Sequence, residues 1–240
     1  MEAMHDRKRP DWQAKACVQE NALSVPAAGL PWREETAALL AEPSPYQLDL
    51  CGECRVQQPL HPVSKNKFTF IDSWLALWYY KDEARQSLLR YKFQGKRCYA
   101  AGYGRLLSMK VQQEMDGKFD LITWVPVSKA RRFNRGYDQV ELLAKAVSAE
   151  LNVPCEACLR KIRNNKPQSG IVGQAKRRAN VLGVYKPIDK AVIAGKRILL
   201  MDDIITTGAT AGECARVLLT AGAREVHVAV LGAAQDQDKS

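Results

Sequence analysis

An α/β fold, a mostly parallel sheet with helices on both faces, is predicted by three observations. After about residue 70, short apolar runs alternate with stretches of helical periodicity. The apolar run Ile198–Met201 ends on two acids and passes through a Thr/Gly turn into a helix, which is how open parallel sheets present ligand sites. Seven of the eleven prolines fall at or before Pro62, so regular structure is expected only beyond that point. The expected division is an irregular N-terminal region, residues 1–75, and an α/β domain, residues 76–240.

The elements follow in order. Residues 1–70 are broken repeatedly by Pro10, Pro26, Pro31, Pro43, Pro45, Pro59 and Pro62, with room for a short helix at Glu34–Ala41. Lys81–Tyr91 places Ala84, Leu88 and Tyr91 at helical spacing. Tyr99–Met115 is a second helix, stopped at Asp116-Gly117. Leu121–Val125 is a short buried strand closed by Pro126, and Tyr137–Leu151 an amphipathic helix with Val140, Leu143, Ala144 and Val147 on one face. Ile162–Ala175, rich in Asn, Pro, Ser and Gly, is a long mobile loop. Arg197–Met201 is a strand, Gly212–Thr220 a helix and Val226–Leu231 a strand. No internal repeat is present.

The 240 residues carry a net charge of +10 and are 46% hydrophobic, which excludes a disordered chain, a collagen and a small disulfide scaffold. Charge is uneven: Leu121–Tyr185 holds twelve Lys/Arg and four acids, +8 of the total. A basic stretch suits either a nucleic acid or a small polyanion. No apolar h-region follows Met1 and no uncharged apolar run nears the roughly 18–20 residues that span a bilayer, so a soluble, cytoplasmic protein without membrane insertion is expected. Seven cysteines suit a reducing compartment. Cys51-Gly-Glu-Cys54 reads as a candidate zinc knuckle, and Cys155 and Cys158 as small buried hydrophobes beside a strand. Arg7-Lys8-Arg9 reads as a solvated tail or a weak nucleic-acid contact.

The chemistry concentrates in Ile198–Thr210. Asp202 and Asp203 at the strand end are acceptors for sugar hydroxyls. Thr206, Thr207, Gly208, Ala209 and Thr210 then form an anion cradle: backbone N–H groups converge, the helix N-terminus adds positive potential, and the hydroxyls donate. A phosphate cradle with a diol clamp at this spacing describes a ribose 5-phosphate.

This segment resembles the fingerprint of type I phosphoribosyltransferases, which share 5-phosphoribosyl 1-diphosphate (PRPP). The resemblance implies that Asp202 and Asp203 clasp the ribose 2′ and 3′ hydroxyls and that Thr206–Thr210 hold the 5′-phosphate. Thr206 stands where hypoxanthine-type salvage enzymes carry an acidic base, which argues against that chemistry. Further stretches resemble the ComF/GntX family: Tyr91-Lys92-Phe93-x-Gly95, Val125-Pro126-Val127-Ser128, Arg131–Gln139, Glu141–Ala144, Arg163-x-x-x-Pro167-Gln168 and Arg177-x-x-Asn180-Val181. Tyr137, Asp138 and Asn165 depart mildly from that family's pattern.

By this likeness Val127, Ser128, Lys129, Arg131 and Arg135 bind pyrophosphate, and Arg163, Lys166, Pro167, Gln168, Arg177 and Asn180 belong to a basic lid, with Arg163 also in a catalytic role. The expected reaction is displacement of pyrophosphate from ribose C1 by an unknown nitrogenous base, with Mg2+ carried on PRPP. The alternative is a non-catalytic PRPP- or nucleotide-sensing accessory for DNA uptake in competence, partnered by single-stranded DNA or a DNA-uptake helicase. Oligomerisation is open. The base hood has to come from residues 1–75. In that family the region carries two zinc-binding C-x-x-C pairs, of which only Cys51/Cys54 matches here.

Overall fold

The computed structural model describes residues 64–65, 68–93, 99–116, 118–128, 132–133, 136–163, 165 and 173–234. Its centre is a five-stranded sheet. Strands β1 (Ser64–Lys65), β2 (Ser73–Tyr79), β3 (Leu121–Trp124), β6 (Arg197–Ile205) and β7 (Glu225–Ala233) lie in the order β1-β2-β7-β6-β3. β2, β7, β6 and β3 are parallel, and β1 pairs antiparallel with β2 at the edge. Helices α1 (Asp82–Phe93), α2 (Tyr99–Glu114), α3 (Gln139–Leu151), α4 (Gln174–Val181), α5 (Lys190–Ile193) and α6 (Ala209–Thr220) fill the connections. A small antiparallel pair, β4 (Leu159–Lys161) with β5 (Tyr185–Pro187), stands apart.

The period-two alternation of the strands divides the core in two. Leu199 and Met201 of β6 face one side, with Ala229 and Leu231 of β7, and meet α1, α2 and α3 through Leu88, Tyr91, Leu106, Leu107, Leu143 and Val147. Ile198 and Leu200 face the other side with Val226, Val228 and Val230, and meet α6 through Ala211, Cys214, Ala215 and Leu218. Strands covered on both faces are expected to be apolar throughout, and these are. α2 and α3 approach closely because Gly104 lies against Ala146, where a Cβ would collide.

Three elements run longer than the sequence suggests, among them β7, which extends to Glu225–Ala233 from the expected Val226–Leu231. β6 continues through both acids to Ile205, because Asp202, Ile204 and Ile205 keep their ladder positions opposite Val230, Gly232 and Ala233. α6 starts at Ala209, three residues before the expected Gly212, since Gly208 caps it in a left-handed conformation (φ 69°). β2 starts upstream of residue 76, so the sheet also uses residues counted with the N-terminal region. In Ile162–Ala175, only residues 162–163, 165 and 173–175 are among those described, with Gln174 already in α4.

β3 and β6 are parallel neighbours, yet the helices that follow them, α3 and α6, pack on opposite faces of the sheet. That reversal opens a crevice beyond the C-terminal ends of the two strands, where open α/β sheets take ligands.

Candidate functional site

A cavity of about 640 Å³ occupies that crevice. Its wall includes Asp202 and Asp203 from β6, the whole turn Thr206–Thr210, Val125–Val127 after β3, Lys92 from the last turn of α1, Gln139 from the start of α3, and Arg177 from α4. Ile205 ends the strand and Ala209 begins the helix, so only Thr206, Thr207 and the cap Gly208 lie between two regular elements. The turn is short enough for its amides to converge ahead of the helix N-terminus, the arrangement that binds phosphate.

Gly208 is required here twice over. Its φ of 69° favours glycine, and a Cβ would run into the Phe68 ring. Phe68 itself packs on Trp74 with ring centroids 5.1 Å apart. Above the turn, Arg177 Nη1 donates to Thr206 Oγ1 at 3.1 Å. This contact brings one of the expected lid residues to the Thr206–Thr210 turn.

The acid pair is held unequally. Asp203 is buried, forms an ion pair with Lys92 (Nζ–Oδ2 2.6 Å) and accepts from Gln139 Nε2 at 3.3 Å. Half-buried Asp202 accepts the backbone N–H of Asp203 at 2.8 Å. Burial, and then the neighbouring Asp203 charge, push the Asp202 carboxyl from 3.8 up to about 8. The basic members of the wall, Arg85, Lys92, Lys161 and Arg177, offset the two acids.

The loop after β3 is anchored by Asp138, which caps α3: its Oδ1 accepts from the N–H groups of Val140 and Glu141, and its Oδ2 from that of Val127 at 3.4 Å. Two tyrosines bolt α1 to the same place. The Tyr91 hydroxyl donates to the Gln139 carbonyl, and the Tyr137 hydroxyl donates to the Tyr91 carbonyl at 3.0 Å.

Of the expected site residues, Val127, Asp202, Asp203, Thr206, Thr207, Gly208, Ala209, Thr210 and Arg177 share this one wall. Ser128 is buried and its carbonyl accepts from the Arg132 N–H at 3.0 Å, but it is not on the wall. Arg163 is exposed, its guanidinium lying near Gly183, and Asn180 offers its carbonyl to Asn165 Nδ2 at 3.2 Å; neither lines the cavity. Lys129, Arg131, Arg135, Lys166, Pro167, Gln168, Cys51 and Cys54 lie outside the described residues. Lys92 and Gln139 belong to the site without having been assigned a role from sequence. Their signals were present in the Tyr91-Lys92-Phe93 and Tyr137-Asp138-Gln139 stretches, which spacing alone does not connect to Asp203.

Cys158 is buried, and its N–H donates to Thr123 Oγ1 at 3.1 Å. Cys155 bridges to Ile122, and burial pushes its thiol up to about 11. Protonated thiols beside a strand are packing groups, as the sequence suggests. Among the described residues no group of three or more His, Cys, Asp or Glu could hold a metal, and no helix is long and apolar enough to cross a membrane.

The parallel sheet with its flanking helices is of the phosphoribosyltransferase type, and the phosphoribosyl transferase domain family matches residues 141–239. Among curated proteins, Competence protein F of Haemophilus influenzae is 27% identical over 192 residues, covering 76% of this chain and 78% of that protein. Competence protein ComFC of Streptococcus pneumoniae is 33% identical over 153 residues, covering 63% of this chain and 64% of the relative, just under two thirds of its length. The DNA utilization protein YhgH of Escherichia coli strain K12 is 26% identical, covering 74% of this chain and 75% of that protein. The chain is similar to the ComF family of type I phosphoribosyltransferase-like proteins.

Proposed function

We propose that this protein binds PRPP in the crevice between β3 and β6 and transfers its ribose 5-phosphate to a nitrogenous acceptor, releasing pyrophosphate. One observation carries the reading: a single wall gathers the Thr206–Thr210 cradle, the Asp202–Asp203 pair and the Val125–Val127 segment. The 5′-phosphate sits on the N-terminus of α6. The ribose hydroxyls donate to the acid pair. The diphosphate lies towards Val127 and the basic residues that follow it.

In the reaction the C1–O bond to the diphosphate breaks, a C1–N bond forms, and the acceptor nitrogen loses its proton. The transition state is oxocarbenium-like, as in other glycosyl transfers. The chain's part is to fix the sugar and neutralise the departing charge. Lys92 and Arg177 are wall cations in direct contact with proposed ligand-binding groups, Asp203 and Thr206. The donor set fits magnesium that arrives with the ligand. Asp203 is engaged by Lys92, no carboxylate cluster builds a cage among the described residues, and Mg2+ prefers phosphate oxygens and water to an all-protein shell. Bound in that way, it would neutralise diphosphate charge.

The relatives named for competence and DNA utilization favour a second reading, in which the same pocket senses PRPP or a nucleotide in service of DNA uptake, with little turnover. Calorimetry with Mg-PRPP, followed by pyrophosphate release with a panel of bases, separates the two. Binding with release supports the transferase, and binding without release on any base supports the sensor. Failure of the folded protein to bind Mg-PRPP sinks both.

A further inference from the structure

Arg85, Leu89 and Lys92 of α1 line the cavity. They fall at i, i+4 and i+7, so they form one stripe along the helix. Lys92 marks the sugar end of this stripe, because its ammonium pairs with Asp203. Arg85 lies two turns back, about 10 Å along the axis at 1.5 Å per residue. Half-buried Leu89 stands between them. The Arg85 end is built against the sheet. Tyr80, the residue after β2, lines the same cavity, and its N–H donates to the Ala233 carbonyl of β7 at 2.6 Å. Gly232 lets it lie close, since a Cβ there would come within 3.3 Å of the Tyr80 ring. The Arg85 guanidinium rests over that ring, 6.0 Å from its centre, and is exposed. An aromatic support of this kind holds a cation in place without consuming its N–H donors.

We propose that this end of the cavity is the acceptor subsite, and that it takes a planar nitrogenous acid whose ring lies against Leu89 and whose carboxylate meets Arg85. This rests on the reading that the cavity holds PRPP, with the ribose on the acid pair and the diphosphate towards Val127. A displacement at C1 brings the nucleophile in on the face away from the leaving group. Val127 follows β3, and the strand order β2-β7-β6-β3 puts β7 and β2 on the other side of the β6 acids. Tyr80 and Arg85 stand on that side. The span of about 10 Å between Lys92 and Arg85 accommodates one six-membered ring with a substituent. A guanidinium presents paired N–H donors in a plane, which match a carboxylate better than a carbonyl or an amine. An uncharged base gains the apolar contact of Leu89 alone, so the subsite selects acids.

The test is calorimetric titration of the full chain, saturated with ribose 5-phosphate, which fills the sugar subsite without a leaving group. The probes are orotate, nicotinate and anthranilate, each against its uncharged counterpart uracil, nicotinamide or aniline, with pyrophosphate alone as a control for the donor side. At least one acid should bind roughly tenfold more tightly than its counterpart. Arg85→Gln should shrink that preference to about twofold, and Arg85→Lys, which keeps the charge, should retain more of it. Arg85 is exposed, so both variants should fold, and their affinity for ribose 5-phosphate and pyrophosphate should change by less than about twofold. The proposal is overturned if no acid binds better than its counterpart, or if the preference survives in Arg85→Gln. It is overturned equally if Arg85→Gln loses pyrophosphate as strongly as the acid, which would place Arg85 on the donor. Wild type that binds no ribose 5-phosphate is a different failure, which removes the PRPP reading and the subsite with it.

Discussion

At the end of β6 two adjacent carboxylates experience opposite surroundings. Asp203 has an ammonium at 2.6 Å and a carboxamide donor, both of which favour its charge. Asp202 has burial and that same Asp203 charge against it, and its carboxyl is held up at about 8. The folded state therefore keeps a proton that the unfolded chain gives up near 3.8, so this group's contribution to stability is present in full below 3.8 and is lost as pH rises towards 8. Ligand binding has the converse dependence if hydroxyls donate to an ionised Asp202. Affinity for ribose 5-phosphate should rise between pH 6 and about 8, with proton release visible as a buffer-dependent heat, and Asp202→Asn should flatten the profile. A flat profile in the wild type would exclude the ionised form as the acceptor. Lys92 gives a second prediction at this scale. Lys92→Met leaves Asp203 with one fewer donor and the wall with one fewer cation, so PRPP affinity should fall roughly tenfold in titrations. An unchanged affinity would remove Lys92 from the binding machinery.

Among the elements, the Thr206–Thr210 turn depends on contacts from distant sequence. Gly208→Ala introduces a side chain into a left-handed residue facing Phe68, and should cost about 1–3 kcal/mol in a urea titration. It should also weaken phosphate binding, because the amides of the turn move with the residue. The turn and the apolar strand before it were legible in sequence because all of their signals are local: four apolar residues, two acids and a Thr/Gly stretch. What lay beyond was set by partners that are remote in sequence. Ile71–Tyr80 stands out as an apolar run, but β2 is a strand because β7, about 150 residues later, pairs with it. β6 runs past its acids because β7 continues the ladder opposite them. The β4–β5 pair is three residues long on each side and basic, with Pro187 at its end, and carries almost no pattern of its own. Lys92 and Gln139 escaped for the same reason. Each looks like an ordinary helix-end residue until α1 and α3 are brought against Asp203. Asp138, a mild departure from the family's pattern, proves to be a side-chain cap, a role that Asn fills equally well.

On the scale of the whole molecule, the site lies where the two cores meet. α1 and α3 belong to one core and α6 to the other, while β3 and β6 face both. A ligand spanning the Thr206–Thr210 turn, Asp203 and Val127 therefore ties together elements that belong to the two cores. Binding to the native state alone stabilises it by about 2.7 kcal/mol at one hundred times the dissociation constant. For a chain of this size that corresponds to a rise in melting temperature of roughly 5–10 °C. Because the ligand bridges both cores, the whole unfolding transition should move as a single step on adding Mg-PRPP. Inorganic phosphate, which reaches only the α6 side, should shift it less. Asp203→Asn should remove most of the difference between the two ligands. Scanning calorimetry that resolves two transitions, only one of which responds to Mg-PRPP, would show instead that the ligand grips one face of the sheet, and would move the site off the crevice between β3 and β6.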